Sequence, residues 1–284
     1  MNEKLSIFGA SGFIGSNFCQ MYGQDIIKIL RESRKPETNN ILYLISTVDN
    51  YNVFEDLHID INTNLNLLME VLEECKSRPD LIFNFVSSWF VYGQIKDLPA
   101  NEMSHCNPRG FYSITKRAAE QLIASYCETF GIKYRILRLC NVYGTGATKV
   151  SKKRNALQFL VGEVVRNHDV NLYDGGENIR DFLHVKDVCR AINLVTRKGP
   201  INEIINIGSG TPHRFKDMLE YVKQKTGSIS KFISTDPPDF HKIVQVRDMY
   251  LDVSKLSELG FRPNTSIWKG LSLLIDDEKR KNNE

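Results

Sequence analysis

Tyr112 and Lys116, in the run FYSITK, stand four residues apart and so share one face of a helix. A phenol with an ordinary pKa of about 10 is a poor base at neutral pH, but an ammonium close by favours its phenolate. The pair is therefore a candidate proton shuttle, although Tyr-x-x-x-Lys taken alone is most often a packing pair. Its weight comes from Ser87 and Ser88, which end the apolar run DLIFNFVSS ahead of that helix. A hydroxyl at the carboxyl end of a strand can donate to a substrate oxygen or to the phenolate. It can equally cap a turn, a role worth about 1 kcal/mol.

A second set comes earlier in the chain. Gly9, Gly12 and Gly15 in FGASGFIGS have the spacing Gly-x-x-Gly-x-x-Gly between an apolar strand and a helix. Glycines there allow a tight turn and bring N–H groups at the helix N-terminus close to a pyrophosphate. A purely structural turn would use one or two of them as well. The place directly after the first strand points to a dinucleotide, whose oxidised nicotinamide ring would also favour a Tyr112 phenolate. The second strand, DIIKIL, runs into Arg31 with Glu32 next, where nucleotide folds usually put an acid for the ribose hydroxyls. Arginine there suits a 2′-phosphate and tilts the expectation slightly from NAD to NADP. A surface arginine without a ligand is the competing reading.

These groups need a frame that gathers strand ends. Apolar runs alternate with helical patterns: LSIFG, a helix from Gly15, DIIKIL, ILYLIS, the helix TNLNLLMEVLEECKS, DLIFNFVSS, a helix from Ser113 to Gly131, and YRILRLCNVYG. Strands separated by helices imply βαβ units, hence an α/β fold with a parallel sheet covered on both faces. Functional groups then collect beyond the strands' carboxyl ends. Residues 1–148 read as a dinucleotide-binding domain with a returning segment near 180–206. Residues 149–284 read mainly as a smaller mixed α/β substrate lobe over the sheet's carboxyl edge, with no internal repeat or low-complexity linker.

With 284 residues the chain can bury a sizeable core. Its 42% hydrophobic and 25% charged residues and net charge of +3 describe an ordinary soluble protein without a polyanion-binding bias. The basic runs KVSKKR (Lys149–Arg154) and DEKRKNNE are short and lack interleaved aromatics, so nucleic acid is not an expected partner. Six scattered cysteines without a Cys-x-x-Cys pair favour a reduced, cytoplasmic protein. No metal site is expected. The start MNEKLSIFG shows no signal-peptide pattern, and no apolar stretch nears the roughly 18 residues that span a membrane, so no membrane is expected either.

Seven motifs in order, GASGFIG, VSSWFVYG, NPRGFYSITKRAAE, YRILRLCNVYG, YDGGENIRDFLHVKDVCRAI, INIGSG and VRDMYLDVSKLSELGFRPNTS, cover nearly the whole chain. Together they resemble the extended short-chain dehydrogenase/reductase family, among its sugar-nucleotide epimerases, dehydratases and reductases. The resemblance implies a Rossmann-type doubly wound sheet, with Ser88, Tyr112 and Lys116 as the catalytic set. It places Asn141 near a sugar diphosphate and Arg180 and Arg247 on its phosphates, where a planar fork suits phosphate oxygens; Ser88 also meets the sugar. The implied cofactor contacts are Gly9, Ser11, Gly12, Phe13, Ile14 and Gly15 around the turn, then Arg31, Ile45 and Ser46, with Tyr112 and Lys116. Related enzymes pair through two helices, here those from Asn64 and Ser113, so a homodimer is expected.

Two departures from the family pattern stand out. Only RESRKPETNN separates the second strand from ILYLIS, where the family has a further helix and strand, so the sheet should lose or shorten an outer strand. Asp60 stands where an asparagine is common, and no role is carried to it.

The residues after Ser88 narrow the reaction. Dehydratases of the family carry Asp-Glu there, and members that epimerise beside a ketone carry a cysteine at the second place; this chain has Trp89 and Phe90, which cannot shuttle protons. What remains is oxidation at a sugar carbinol, with C4 the expected position, of a nucleoside-diphosphate sugar. Return of hydride to the other face would make the chain a 4-epimerase. The alternatives are an NADPH-dependent 4-keto-sugar-nucleotide reductase and, from another class, a catalytically silent redox-sensing or binding module.

Overall fold

Runs rich in Ile, Leu, Val and Phe pair side by side as a sheet buried on both faces. The computed structural model describes residues 4–146 and 155–283; the basic run Lys149–Arg154 and the expected boundary at 148/149 lie outside the described residues. The strands are β1 (Leu5–Phe8), β2 (Ile26–Lys28), β3 (Asn40–Tyr43), β4 (Ile82–Ser88), β5 (Lys133–Leu139), β6 (Asn141–Tyr143), β7 (Val170–Tyr173), β8 (Ile179–Arg180), β9 (Phe182–His184), β10 (Glu203–Ile207), β11 (His213–Arg214) and β12 (Phe232–Thr235). The helices are α1 (Phe13–Tyr22), α2 (Ile59–Ile61), α3 (Leu67–Glu73), α4 (Phe111–Phe130), α5 (Ala156–Val165), α6 (Val185–Lys198), α7 (Phe215–Thr226), α8 (Asp239–Val244), α9 (Ser254–Glu258) and α10 (Ile267–Asn283).

The central sheet has six strands in the order β10-β5-β4-β3-β1-β2, all parallel. Reversal of strand order between β1 and β3 opens a crevice at their carboxyl ends, the usual place for a ligand in such sheets. The sheet stops at the three-residue β2, as the short RESRKPETNN segment implies. In place of a further strand, Ser6 of β1 exchanges hydrogen bonds with Thr38: Ser6 N–H to Thr38 Oγ1 and Thr38 N–H to Ser6 Oγ, both at 2.9 Å.

One face of the sheet packs on α1 and α6 through residues such as Phe18, Val188 and Ile192, and the other on α3 and α4 through Leu68, Val71 and Ile123. A third apolar cluster joins α5, α7 and α10 in the C-terminal lobe. Among the described residues no helix is long and apolar enough to cross a membrane, and all six cysteines are free.

Two local expectations shift. The helix expected from Ser113 begins at Phe111, because Ser113 occupies the third helical position and its hydroxyl accepts from Gly110 N–H at 3.0 Å. The helix still ends at Gly131, whose φ of +68° suits glycine. The run YRILRLCNVYG is not one strand: Cys140 N–H still bonds Ile207 in the central sheet, but Asn141 N–H bonds Asp181, so β6 pairs with β9 instead.

Candidate active site

At Gly9 and Gly15 the β1–α1 turn has no room for a side chain. A Cβ on Gly15 would lie 2.2 Å from the Gly9 carbonyl oxygen, and Gly9, at φ +84°, sits against the Ile45 amide. The first turn of α1 carries no acidic residue and no side-chain cap, so its free N–H groups suit an anion. Gly9, Gly12, Phe13, Ile14 and Gly15 line a cavity of about 780 Å³. This cradle fits a dinucleotide pyrophosphate.

Past β3 the chain is held down by a polar cluster. Asn64, in a π-helical turn between α2 and α3, accepts from the Ser46 hydroxyl at 3.0 Å and the Thr47 amide at 2.9 Å. Its amide nitrogen donates to Thr115 of α4 at 2.9 Å. Asp60 is buried and accepts from Thr47 Oγ1 and from Asn52 at 3.0 Å. Both residues therefore position the Ser46–Thr47 part of the cavity wall, a role that single-residue reading did not assign to Asp60.

Ser88, Tyr112 and Lys116 meet at the same cavity, at the end of β4 and the start of α4. The Ser88 hydroxyl accepts from Phe90 N–H at 3.3 Å, so the capping role is real, and it stands close enough to the Tyr112 phenol to favour its phenolate. Burial pushes the Tyr112 phenol up to about 12; the Ser88 hydroxyl works against this, while the charges of Asp60 and Asp49 add to it. Lys116 Nζ donates to the Val86 carbonyl at 2.6 Å and lies 4.1 Å from the centre of the Phe85 ring. Burial lowers its pKa to about 7, opposed by the charge of Glu120. Desolvation is the largest influence on the phenol in the protein alone, ahead of every charge around it. Ser87 is structural: it donates to Glu120 at 2.6 Å, and Glu120 pairs with buried Arg138 at 2.7 Å.

Trp89 and Phe90 stack with ring centres 3.9 Å apart, and the edge of Phe90 meets Tyr112 at 6.0 Å. Both rings line the cavity where an acid, base or thiol would otherwise stand. Arg180 lies over Trp89 and also lines the cavity, but its guanidinium is tied to the carbonyls of Val246 and Arg247. Asn141 lines it too, with its amide donating to the Asp181 carbonyl at 3.0 Å.

Four expected contacts do not reach the cavity wall. Arg247 holds Arg180 by its carbonyl while its own side chain is 72% exposed beside Asp248. Ser11 is exposed at the tip of the glycine turn, and Arg31 is exposed in the turn beyond β2. Ile45 packs its side chain into the core under α3 and α4, leaving its backbone by Gly9.

Other wall residues carry no sequence motif. Tyr51 from the 50–54 turn hydrogen-bonds His241 of α8 at 2.9 Å, and His241 packs on Tyr173 at 4.7 Å. Phe54 and Phe240 meet edge to face at 4.6 Å, so an aromatic clasp joins the 50–54 turn to α8 beside the cavity. The available signal was aromatic residues placed in loops, DNYNVF and PDFHK.

Residues 41–208 match the NAD dependent epimerase/dehydratase family, a span that holds the Ser–Tyr–Lys set but not the glycine turn. The chain is 27% identical to a putative UDP-glucose 4-epimerase of Methanocaldococcus jannaschii over 85% of this chain and 77% of that one. It is 30% identical to a dTDP-glucose 4,6-dehydratase of Streptomyces niveus over 71% of this chain and 59% of that one. Its fold matches the UDP-glucose 4-epimerase of Thermotoga maritima, solved with UDP-glucose, with a TM-score of 0.87, 24% identity and coverage of 99% of this chain and 100% of that one. RMD from Pseudomonas aeruginosa, complexed with NADPH, matches with a TM-score of 0.86 at 21% identity, over 99% of this chain and 100% of that one. The family match spans more than half of the chain, and the protein therefore belongs to the NAD dependent epimerase/dehydratase family.

Proposed function

We propose that the protein oxidises the C4 carbinol of a nucleoside-diphosphate sugar and, by returning hydride to the opposite face, epimerises it. The observation that carries this reading is the Ser88–Tyr112–Lys116 set sharing one cavity with the glycine turn and walled by Trp89 and Phe90. When bound, a nicotinamide dinucleotide supplies a hydride-accepting ring whose positive charge favours a nearby phenolate. The glycine turn holds its pyrophosphate. Tyr112 takes the carbinol proton on its phenol oxygen, and the Ser88 hydroxyl steadies both that oxygen and the sugar's. Lys116, anchored on Val86, holds the cofactor's ribose and shares the proton load.

The names of relatives agree with a sugar nucleotide: UDP-glucose 4-epimerase for the archaeal and Thermotoga proteins, dTDP-glucose 4,6-dehydratase for the Streptomyces one. The aromatic pair argues against dehydration, since neither ring can deliver or remove a proton at C5 or C6. Arg31 stays off the cavity wall, so the lean to NADP, and with it the NADPH-dependent 4-keto reductase alternative, rests on residue type alone.

The test is a thermal-shift comparison of NAD and NADP, then NMR analysis of products from UDP-glucose and related sugar nucleotides. A 4-epimer with no net change in cofactor absorbance supports the epimerase; stoichiometric consumption of reduced cofactor by a 4-keto sugar supports the reductase. Tyr112→Phe should cut turnover by about 10²–10⁴-fold with cofactor binding retained, and undiminished turnover would remove Tyr112 from the mechanism.

A further inference from the structure

Two amide oxygens of cavity-lining residues, Gln158 Oε1 and Asn178 Oδ1, are buried and accept no hydrogen bond among the described residues. Gln158 is the better defined. It lies in the first turn of α5, is 7% exposed, and its Nε2 donates to the Gly144 carbonyl at 2.6 Å. That bond fixes the orientation of the amide: its nitrogen is used on the backbone, and its oxygen is left as the acceptor. The first turn of α5 has neither an acidic residue nor a side-chain cap, and Asn155, Ala156 and Leu157 line the same cavity. Free helix N–H groups therefore lie beside the unpartnered oxygen.

An unpaired buried carbonyl oxygen is costly to a folded protein, and each such atom calls for an explanation. The chemistry of the partner follows from the atom type. Ionised phosphate oxygens offer no hydrogen to an amide oxygen, whereas sugar hydroxyls and a base N–H do.

Resting on the function proposed above, we infer that Gln158 and Asn178 form a substrate-binding subsite that accepts hydrogen bonds from hydroxyl or N–H groups of the nucleoside-diphosphate sugar. The donor belongs either to the nucleoside or to the glycosyl group, and the two sources are separable.

Isothermal titration of the full chain with UDP-glucose and with UDP tests the subsite in wild type, Gln158→Met and Asn178→Leu. Each variant should bind UDP-glucose roughly tenfold more weakly. Gln158→Met also gives up its bond to Gly144. Asn178→Leu keeps the backbone bond from Phe215 to the Asn178 carbonyl, so it carries the stability comparison and should melt no lower than wild type. An equal loss for UDP assigns the donor to the nucleoside, and a loss confined to UDP-glucose assigns it to the glycosyl group; both support the subsite. Unchanged affinity in both variants, whatever their melting, overturns it. Wild-type protein that binds neither these ligands nor their dTDP and GDP counterparts overturns the sugar-nucleotide reading itself, and the subsite falls with it.

Discussion

An ammonium pressed between the Val86 carbonyl and the Phe85 ring gives up most of its hydration, and Lys116 responds with a pKa near 7. The consequence for stability has a definite sign. Unfolded, this lysine holds its proton up to about its ordinary 10.5; folded, it releases it near 7. Between these values the unfolded chain binds more protons, so the stability contributed by Lys116 rises with pH across that window and is lost as pH falls through it. Tyr112 acts in the opposite sense only above pH 10, where the folded form keeps its proton longer. Lys116→Met should therefore flatten the pH dependence of urea unfolding between pH 7.5 and 9.5, about the middle of the window. An unaltered slope would show that Lys116 is charged and hydrated in the folded protein. At this same scale the shared cavity of Ser88, Tyr112 and Lys116 was foreshadowed by residue types, while the depressed lysine was not, since nothing in FYSITK announces Phe85 and Val86 as its neighbours.

Elements carry the next layer. The β1–α1 turn works because its glycines let backbone meet backbone, and Gly15→Ala would drive a Cβ to 2.2 Å from the Gly9 oxygen. Opening the turn should cost about 1–3 kcal/mol of stability and weaken dinucleotide binding by at least about tenfold, measured by unfolding and titration. Full retention of binding would separate the turn from the cofactor. This element was legible because its constraint is local, as was α4 with its terminal glycine. The break at Cys140 was not legible: Val142 and Tyr143 resume the apolar run after Asn141, and only the positions of Ile207 and Asp181 decide that β5 ends and β6 joins another sheet.

For the whole molecule, Tyr51, Phe54, Phe240 and His241 link the 50–54 turn to α8, while Val246, Met249, Leu251 and Phe261 share one core with the central sheet; the outer surface of α4 bears on assembly. Phe111, Ile114 and Leu122 are 39%, 47% and 41% exposed, and their three- and eight-residue spacing forms an outward apolar stripe on that helix. We propose a homodimer built on α3 and α4. Light scattering should give twice the chain mass for wild type and the monomer mass for a protein carrying Ile114→Glu and Leu122→Glu; a wild-type monomer at working concentrations would end that proposal.

The sequence by itself determined what is local or periodic: the glycine turn, the helix that puts Tyr112 and Lys116 on one face, the alternation that makes a parallel sheet, and a sheet that stops at β2. Only the tertiary structure decided what depends on neighbours distant in the chain. It buried Lys116, turned the Arg180 fork onto the Val246 and Arg247 carbonyls, left Arg247 in solvent, and set two amide oxygens against the cavity without donors among the described residues. Local spacing dictates which backbone groups can meet, but the solvation and hydrogen-bond partners of a side chain come from the segments packed around it.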